Sequence, residues 1–261
     1  MTNLRFEKDK QTELERYQTA SKKALHTAAG CLTEGAVSMP DYLKEPYIAY
    51  QDALKSNIKD HHTVLELGAG EGRHSLVALQ SAGKLVCTDL SQASLDVINL
   101  SCPQELRHKL ETSCEDIEGL AFEDASFDAV ISAGALSYGR SEKVMSEVNR
   151  LLADDGLFIA VDSWDHNPIY RFNRWLHYKK GLRTLSTLQN MPDRNLVRLM
   201  KQYFDVRVYY FGTISFLMPV LAKFLKPSFL AKLSRVFDKL FFRKQLAFKI
   251  VIIARKKQNQ I

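Results

Sequence analysis

Val64-Leu65-Glu66-Leu67-Gly68-Ala69-Gly70-Glu71-Gly72 is a buried-looking hydrophobic run that ends in an acid and then breaks into glycines at every second position. The helix-compatible segment Arg73-His74-Ser75-Leu76-Val77-Ala78-Leu79 follows. Strand, tight turn and helix in that order bring a bare backbone close to a nucleotide-like ligand. The elements around it repeat the pattern. Leu85 to Thr88 reads as a second strand ending at Asp89, and Ser91 as the cap of a helix running to Leu100. Lys109 to Cys114 reads as a third strand, Ser126 to Ser132 as a fourth and Ser141 to Leu152 as a helix. Asp154-Asp155-Gly156 then turns the chain into a fifth strand, Leu157 to Val161, ending at Asp162. Strands alternating with helices at this spacing require an α/β fold with a doubly wound parallel sheet.

The turn discriminates between ligands. A dinucleotide turn spaces its glycines Gly-x-Gly-x-x-Gly and seats a pyrophosphate on the helix N-terminus. Here the spacing is Gly-x-Gly-x-Gly, Arg73 stands at the third-glycine position, and Glu66 would repel a phosphate. An acid at that place suits a ligand with an ammonium group, such as S-adenosylmethionine (SAM), a nucleoside without phosphate. Asp89 ends the second strand, where a carboxylate accepts both ribose hydroxyls. Asp116 follows the third, placed to accept from the adenine amino group.

Three stretches, Glu66-Leu67-Gly68-Ala69-Gly70-Glu71-Gly72, Cys87-Thr88-Asp89-Leu90-Ser91 and Glu115 to Asp128, resemble the successive motifs of class I SAM-dependent methyltransferases over roughly residues 40 to 162. The resemblance implies a Rossmann-like seven-stranded, mostly parallel sheet of order 3-2-1-4-5-7-6. It implies that Glu66, Gly68, Ala69, Gly70 and Gly72 surround the methionine end, with Ser132 nearby, that Asp89 and Leu90 take the ribose, and that Asp116 and Ile117 take the adenine. Methyl transfer needs alignment and a dry site, and a hydroxyl acceptor is helped by a base. His166 is the first candidate, with Asp162, Asp165 and Tyr138 beside it; His74 reads as a structural or methionine-side contact.

One domain is expected: N-terminal helices over 1–60, a cofactor core over 61–162, a lid or substrate insert over 163–203, and two last strands over 204–261 that enclose a basic helix at 214–244. The insert joins Tyr170, Phe172, Trp175 and Tyr178 to Arg171, Arg174, Lys179 and Arg183. It loosely resembles bacterial methyltransferases linked to surface-polysaccharide assembly, which implies O-methylation of a sugar hydroxyl. A lipid-like or quinone acceptor, tRNA, and a SAM-binding regulatory protein are the other readings. From Lys201 onward thirteen Lys and Arg face two Asp, a surplus of eleven in a chain of net charge +6, so the first 200 residues carry about −5. The helix after Pro227 therefore either packs on its own domain or touches an anionic membrane. Scattered cysteines (Cys31, Cys87, Cys102, Cys114) argue against a metal site or disulfide frame, and a charged Met1–Lys23 argues for a cytosolic protein without a signal peptide. No nucleic-acid-binding module is visible.

Overall fold

A computed structural model of the chain describes residues 3–27, 40–214, 217–240 and 246–258. Its centre is one seven-stranded sheet of order β3-β2-β1-β4-β5-β7-β6. The strands are β1 (Thr63–Leu67), β2 (Lys84–Asp89), β3 (Leu110–Cys114), β4 (Phe127–Ala133), β5 (Leu152–Ser163), β6 (Phe204–Phe211) and β7 (Lys249–Lys256). β7 runs antiparallel to both β5 and β6, and the first five strands are parallel.

The period-two pleat of β1 sends Leu65 and Leu67 to one face and Val64 to the other, and all three are buried. On the Val64 face the sheet is covered by α2 (Asp41–Asn57), α3 (Ser75–Ser81) and α4 (Gln92–Ser101), through Tyr50, Leu54, Leu79, Leu95 and Ile98. On the Leu65 face it is covered by α5 (Ser141–Leu151) and, further along the chain, a helix over Arg194–Tyr203, through Met145, Val148, Leu196 and Met200. Helices on both faces are what right-handed crossovers between parallel strands produce.

The start of the fifth strand differs from expectation. Leu152 already pairs with Phe127, and the next partners are Ala129 and Leu157. Asp154-Asp155-Gly156 is thus a bulge inside β5, with Asp155 at φ 59°, rather than a turn preceding it.

The insert folds as α6 (Pro168–Lys179), α7 (Leu185–Gln189) and α8 (Arg194–Tyr203). Asn167 caps α6 by accepting from the amides of Ile169 and Tyr170, and Asp193 caps α8 in the same way. Between β6 and β7 the expected single helix 214–244 is two pieces, α9 (Met218–Leu221) and α10 (Pro227–Leu240). Its last residues, Phe241 to Lys244, lie outside the described residues, as does Cys31. The long α1 (Asn3–Thr27) crosses the ends of the parallel strands and becomes part of the site.

Candidate cofactor and acceptor site

The carboxyl ends of β1, β2 and β4 open into a cavity of about 430 Å³. The glycine turn forms its floor. Gly68 and Gly70 both hold positive φ, 61° and 56°, a region L side chains rarely adopt. A Cβ on Gly68 would stand 2.5 Å from the Ala135 Cβ, so glycine here lets the loops after β1 and β4 touch. A Cβ on Gly70 would meet nothing and would point into open space. The backbone is bare where a ligand needs close approach.

Asp89 is fixed by two backbone amides: Gly70 N–H donates to Oδ2 at 2.9 Å and Ser91 N–H to Oδ1 at 2.8 Å. Burial pushes its carboxyl pKa up, and those two bonds act against the rise. Each oxygen keeps a lone pair, so the carboxylate can accept from a vicinal diol. Leu90, Glu115 and Ile117 continue the wall. The loop that carries Ile117 is stapled by Arg150, which donates to the carbonyls of Leu120 and Phe122 and pairs with Glu147 and Asp124.

Of the residues expected around the cofactor, Gly68, Ala69, Gly70, Asp89, Leu90 and Ile117 line the cavity. Gly72 sits behind it, closing the turn through a 3.0 Å bond to the Ala69 carbonyl. Glu66 is buried beneath the turn, where Cys87 Sγ–H reaches Oε2 at 3.4 Å and burial pushes its pKa up to about 7. Ser132 is buried, with a hydroxyl lacking a hydrogen-bond partner among the described residues. Asp116 is placed differently from expectation: its carboxylate accepts Lys10 Nζ at 2.7 Å rather than facing the cavity.

That contact reveals the roof, which sequence reasoning did not find. Phe6, Lys10, Glu13, Leu14 and Tyr17 of α1 close the cavity from above. Lys10 also reaches Glu118 at 3.4 Å, and Arg140 holds Glu118 at 2.6 Å. Burial acts to raise the Glu118 pKa, yet the bonds from Arg140 and the charge of Lys10 outweigh it and hold the carboxyl below its usual range. Ser21 at the far end of α1 donates to Glu71 of the glycine turn at 3.1 Å. The lid is therefore α1 more than the 163–203 insert, which supplies only Ser186 and Thr187 to the wall.

Among the catalytic candidates, Tyr138 alone lines the cavity. Its phenol lies 2.6 Å from the Tyr17 hydroxyl and accepts from Arg183 Nη1 at 2.7 Å. Burial, with Tyr17 beside it, pushes the phenol pKa up, so it remains protonated at neutral pH. Glu13 extends the cluster, accepting from the Thr184 amide and hydroxyl at 3.0 Å each and pairing with Arg16. Asp162 is buried off the cavity and accepts from the amides of Leu136 and Ser163, which fixes the turn after β4. His166 is also off the wall: its ring lies against Trp164, and Nδ1 is 2.6 Å from the Asp165 carbonyl oxygen. Asp165 pairs with Arg171. The histidine on the wall is His74, stacked on Tyr47 at 4.9 Å. Burial, then Lys249 and Arg73, push its pKa down to about 4, leaving the imidazole neutral.

The residues present fit SAM: a bare glycine backbone, a diol-accepting carboxylate on β2 and an apolar wall at Ile117. The model of a methyltransferase domain matches residues 65–160, the segment that carries all three. This segment is a class I SAM-dependent methyltransferase domain, and the enzyme class follows from it. An uncharacterized protein of Methanocaldococcus jannaschii is 25% identical over 203 residues, which cover 70% of this chain and 76% of that protein. The geranyl diphosphate C-methyltransferase of Streptomyces coelicolor A3(2), solved with Mg2+, geranyl diphosphate and S-adenosyl-L-homocysteine, superposes with a TM-score of 0.59 at 14% identity, covering 93% of this chain and 98% of its own. The [4+2]-cyclase SpnF gives 0.62 at 15% identity, covering 95% and 96%. At such identities the likeness is one of fold.

Proposed function

We propose that the chain methylates a hydroxyl of a small acceptor taken into the α1-covered cavity, such as a sugar hydroxyl in the synthesis of a surface glycan or glycolipid. The observation that carries this reading is the set of hydroxyl-bearing residues that line the same cavity as Asp89: Tyr17, Tyr138, Ser186 and Thr187. When bound, SAM supplies an activated methyl on a sulfonium. The protein then has to hold the acceptor oxygen in line and keep water out. In this reading the protonated Tyr138, itself oriented by Arg183 and Tyr17, positions the acceptor oxygen.

A prenyl-like acceptor is the second reading, favoured by the apolar side chains that α1 brings to the roof, Phe6 and Leu14. The geranyl diphosphate enzyme among the structural relatives is in keeping with it.

The test is incubation with methyl-labelled SAM and panels of sugars, glycolipids and prenyl diphosphates, with products identified by mass spectrometry. Labelled methyl ethers are expected. Tyr138→Phe should lower kcat roughly tenfold to a hundredfold with cofactor affinity unchanged, while His166→Ala should retain turnover. Label found only on prenyl carbon would replace the hydroxyl reading with the second.

A further inference from the structure

Two helices leave apolar and basic side chains in water after their packing is complete. α6 buries none of its residues. Phe172 and Trp175 stack at 5.7 Å on its outer side, Trp175 is 43% exposed, and Lys179 Nζ lies 5.6 Å from the indole centroid. Ile169 of the same helix is exposed too.

The second surface lies between α9 and α10. α10 docks on α2 through Leu230, Ala231 and Ser234, all buried, while Arg235 pairs with Glu45 and Asp238 accepts from the amides of Gly212 and Thr213. The apolar side chains of this segment are therefore divided between inside and outside. Leu230 is used inside, whereas Phe229 is 52% exposed, Phe224 in the preceding turn is 80% exposed, and Val236 is exposed as well. Lys223, Lys226 and Lys232 stand among them, all exposed.

Both surfaces belong to one end of the sheet, the end that carries the cavity. α6 follows directly from the end of β5, its Asn167 side chain donates to the Leu246 carbonyl at 2.7 Å, and Tyr170 packs on Phe248 at the entry to β7. The chain reaches that entry from α10. Between Asp165 and Asp193, and again between Asp205 and Asp238, the sequence holds ten Lys and Arg and no acid.

We propose that this end of the molecule lies on an anionic lipid bilayer, with Phe172, Trp175, Phe224 and Phe229 at headgroup depth and the neighbouring lysines over the headgroups. Aromatic rings flanked by long cationic side chains suit the boundary between acyl chains and charged headgroups. A nucleic acid would use the cations but has no need of Ile169 or Val236, and a purely apolar partner would leave the cations unmatched. No described helix is long and apolar enough to cross the membrane, so contact is peripheral. This goes beyond the acceptor reading and does not depend on it.

The chain has two tryptophans, and Trp164 is 1% exposed, so Trp175 is the natural reporter. The full chain is titrated with vesicles of phosphatidylcholine alone or enriched in phosphatidylglycerol, some carrying brominated acyl chains. A blue shift and bromine quenching are expected with the anionic vesicles and not with the neutral ones. Lys223→Glu and Lys226→Glu should each weaken partitioning about fivefold or more. Phe224→Ser with Phe229→Ser should weaken it about tenfold or more. S-adenosylhomocysteine affinity should remain normal in all of them, which shows that they fold. No shift with anionic vesicles, or an equal shift with neutral ones, would overturn the proposal. So would a shift that follows protein concentration without vesicles, since a second copy of the chain would then cover the surface.

Discussion

Gly68 and Gly70 share a left-handed backbone but answer to different neighbours. At Gly68 a methyl group meets Ala135 at 2.5 Å, and at Gly70 it meets only the cavity. Gly68→Ala should therefore lower stability by about 1–3 kcal/mol, combining overpacking with backbone strain. Gly70→Ala should cost roughly 1 kcal/mol of stability but lose most of the cofactor affinity. Chemical denaturation and calorimetry on the two variants separate the effects. Glu66 offers a pH test. Its pKa of about 7 in the folded chain lies above the ordinary carboxyl value of 4.5, so between those limits the folded state binds more protons than the unfolded one. The Glu66 contribution to stability then falls as pH rises from about 4.5 to 7, by roughly 3 kcal/mol, while His74, whose pKa is pushed down to about 4, contributes in the opposite sense over the same range. Glu66→Gln removes the falling part, so the variant should gain stability relative to the parent chain as pH rises across that range in thermal melts of the apo chain; a difference that does not change with pH would place the charge cost elsewhere.

At the scale of the element, α1 acts as the roof because its polar side chains find partners far along the chain. Lys10 meets Asp116 and Glu118, and Ser21 meets Glu71. Lys10→Ala removes two ion pairs at the cavity edge. Faster amide exchange in α1 is expected, together with cofactor release accelerated about threefold to tenfold in stopped-flow traces; release at the wild-type rate would mean that α1 does not gate the cavity. This helix shows what the sequence could carry. The cofactor core was legible because its signals are local: an acid, alternating glycines, and acids at strand ends. Partners fifty to more than a hundred residues apart leave no local pattern, so this segment read only as one of the N-terminal helices. His166 and His74 make the same point. Both sit beside strand or turn ends, and only packing, on Trp164 for one and on Tyr47 for the other, decides which reaches the cavity. Tyr17 and Tyr138 stand far apart in the chain, and nothing in either's neighbours announces the cavity they share.

Across the whole molecule, sheet order and the two helical layers follow from the strand–helix rhythm and from the motifs on residues 66–128. The last quarter was legible in charge but not in shape. Its helix is divided between Leu221 and Pro227, and its apolar residues are shared between a buried and an exposed surface. The fold does not fix chemistry by itself, since a cyclase and a C-methyltransferase both superpose on it. What ties this chain to methyl transfer is the donor site, and it is open to direct measurement. Titration calorimetry with S-adenosylhomocysteine should show one site per chain, weakened roughly tenfold to a hundredfold by Asp89→Ala. A wild-type chain that is folded and binds neither S-adenosylhomocysteine nor SAM would contradict the assignment of the cavity to this cofactor.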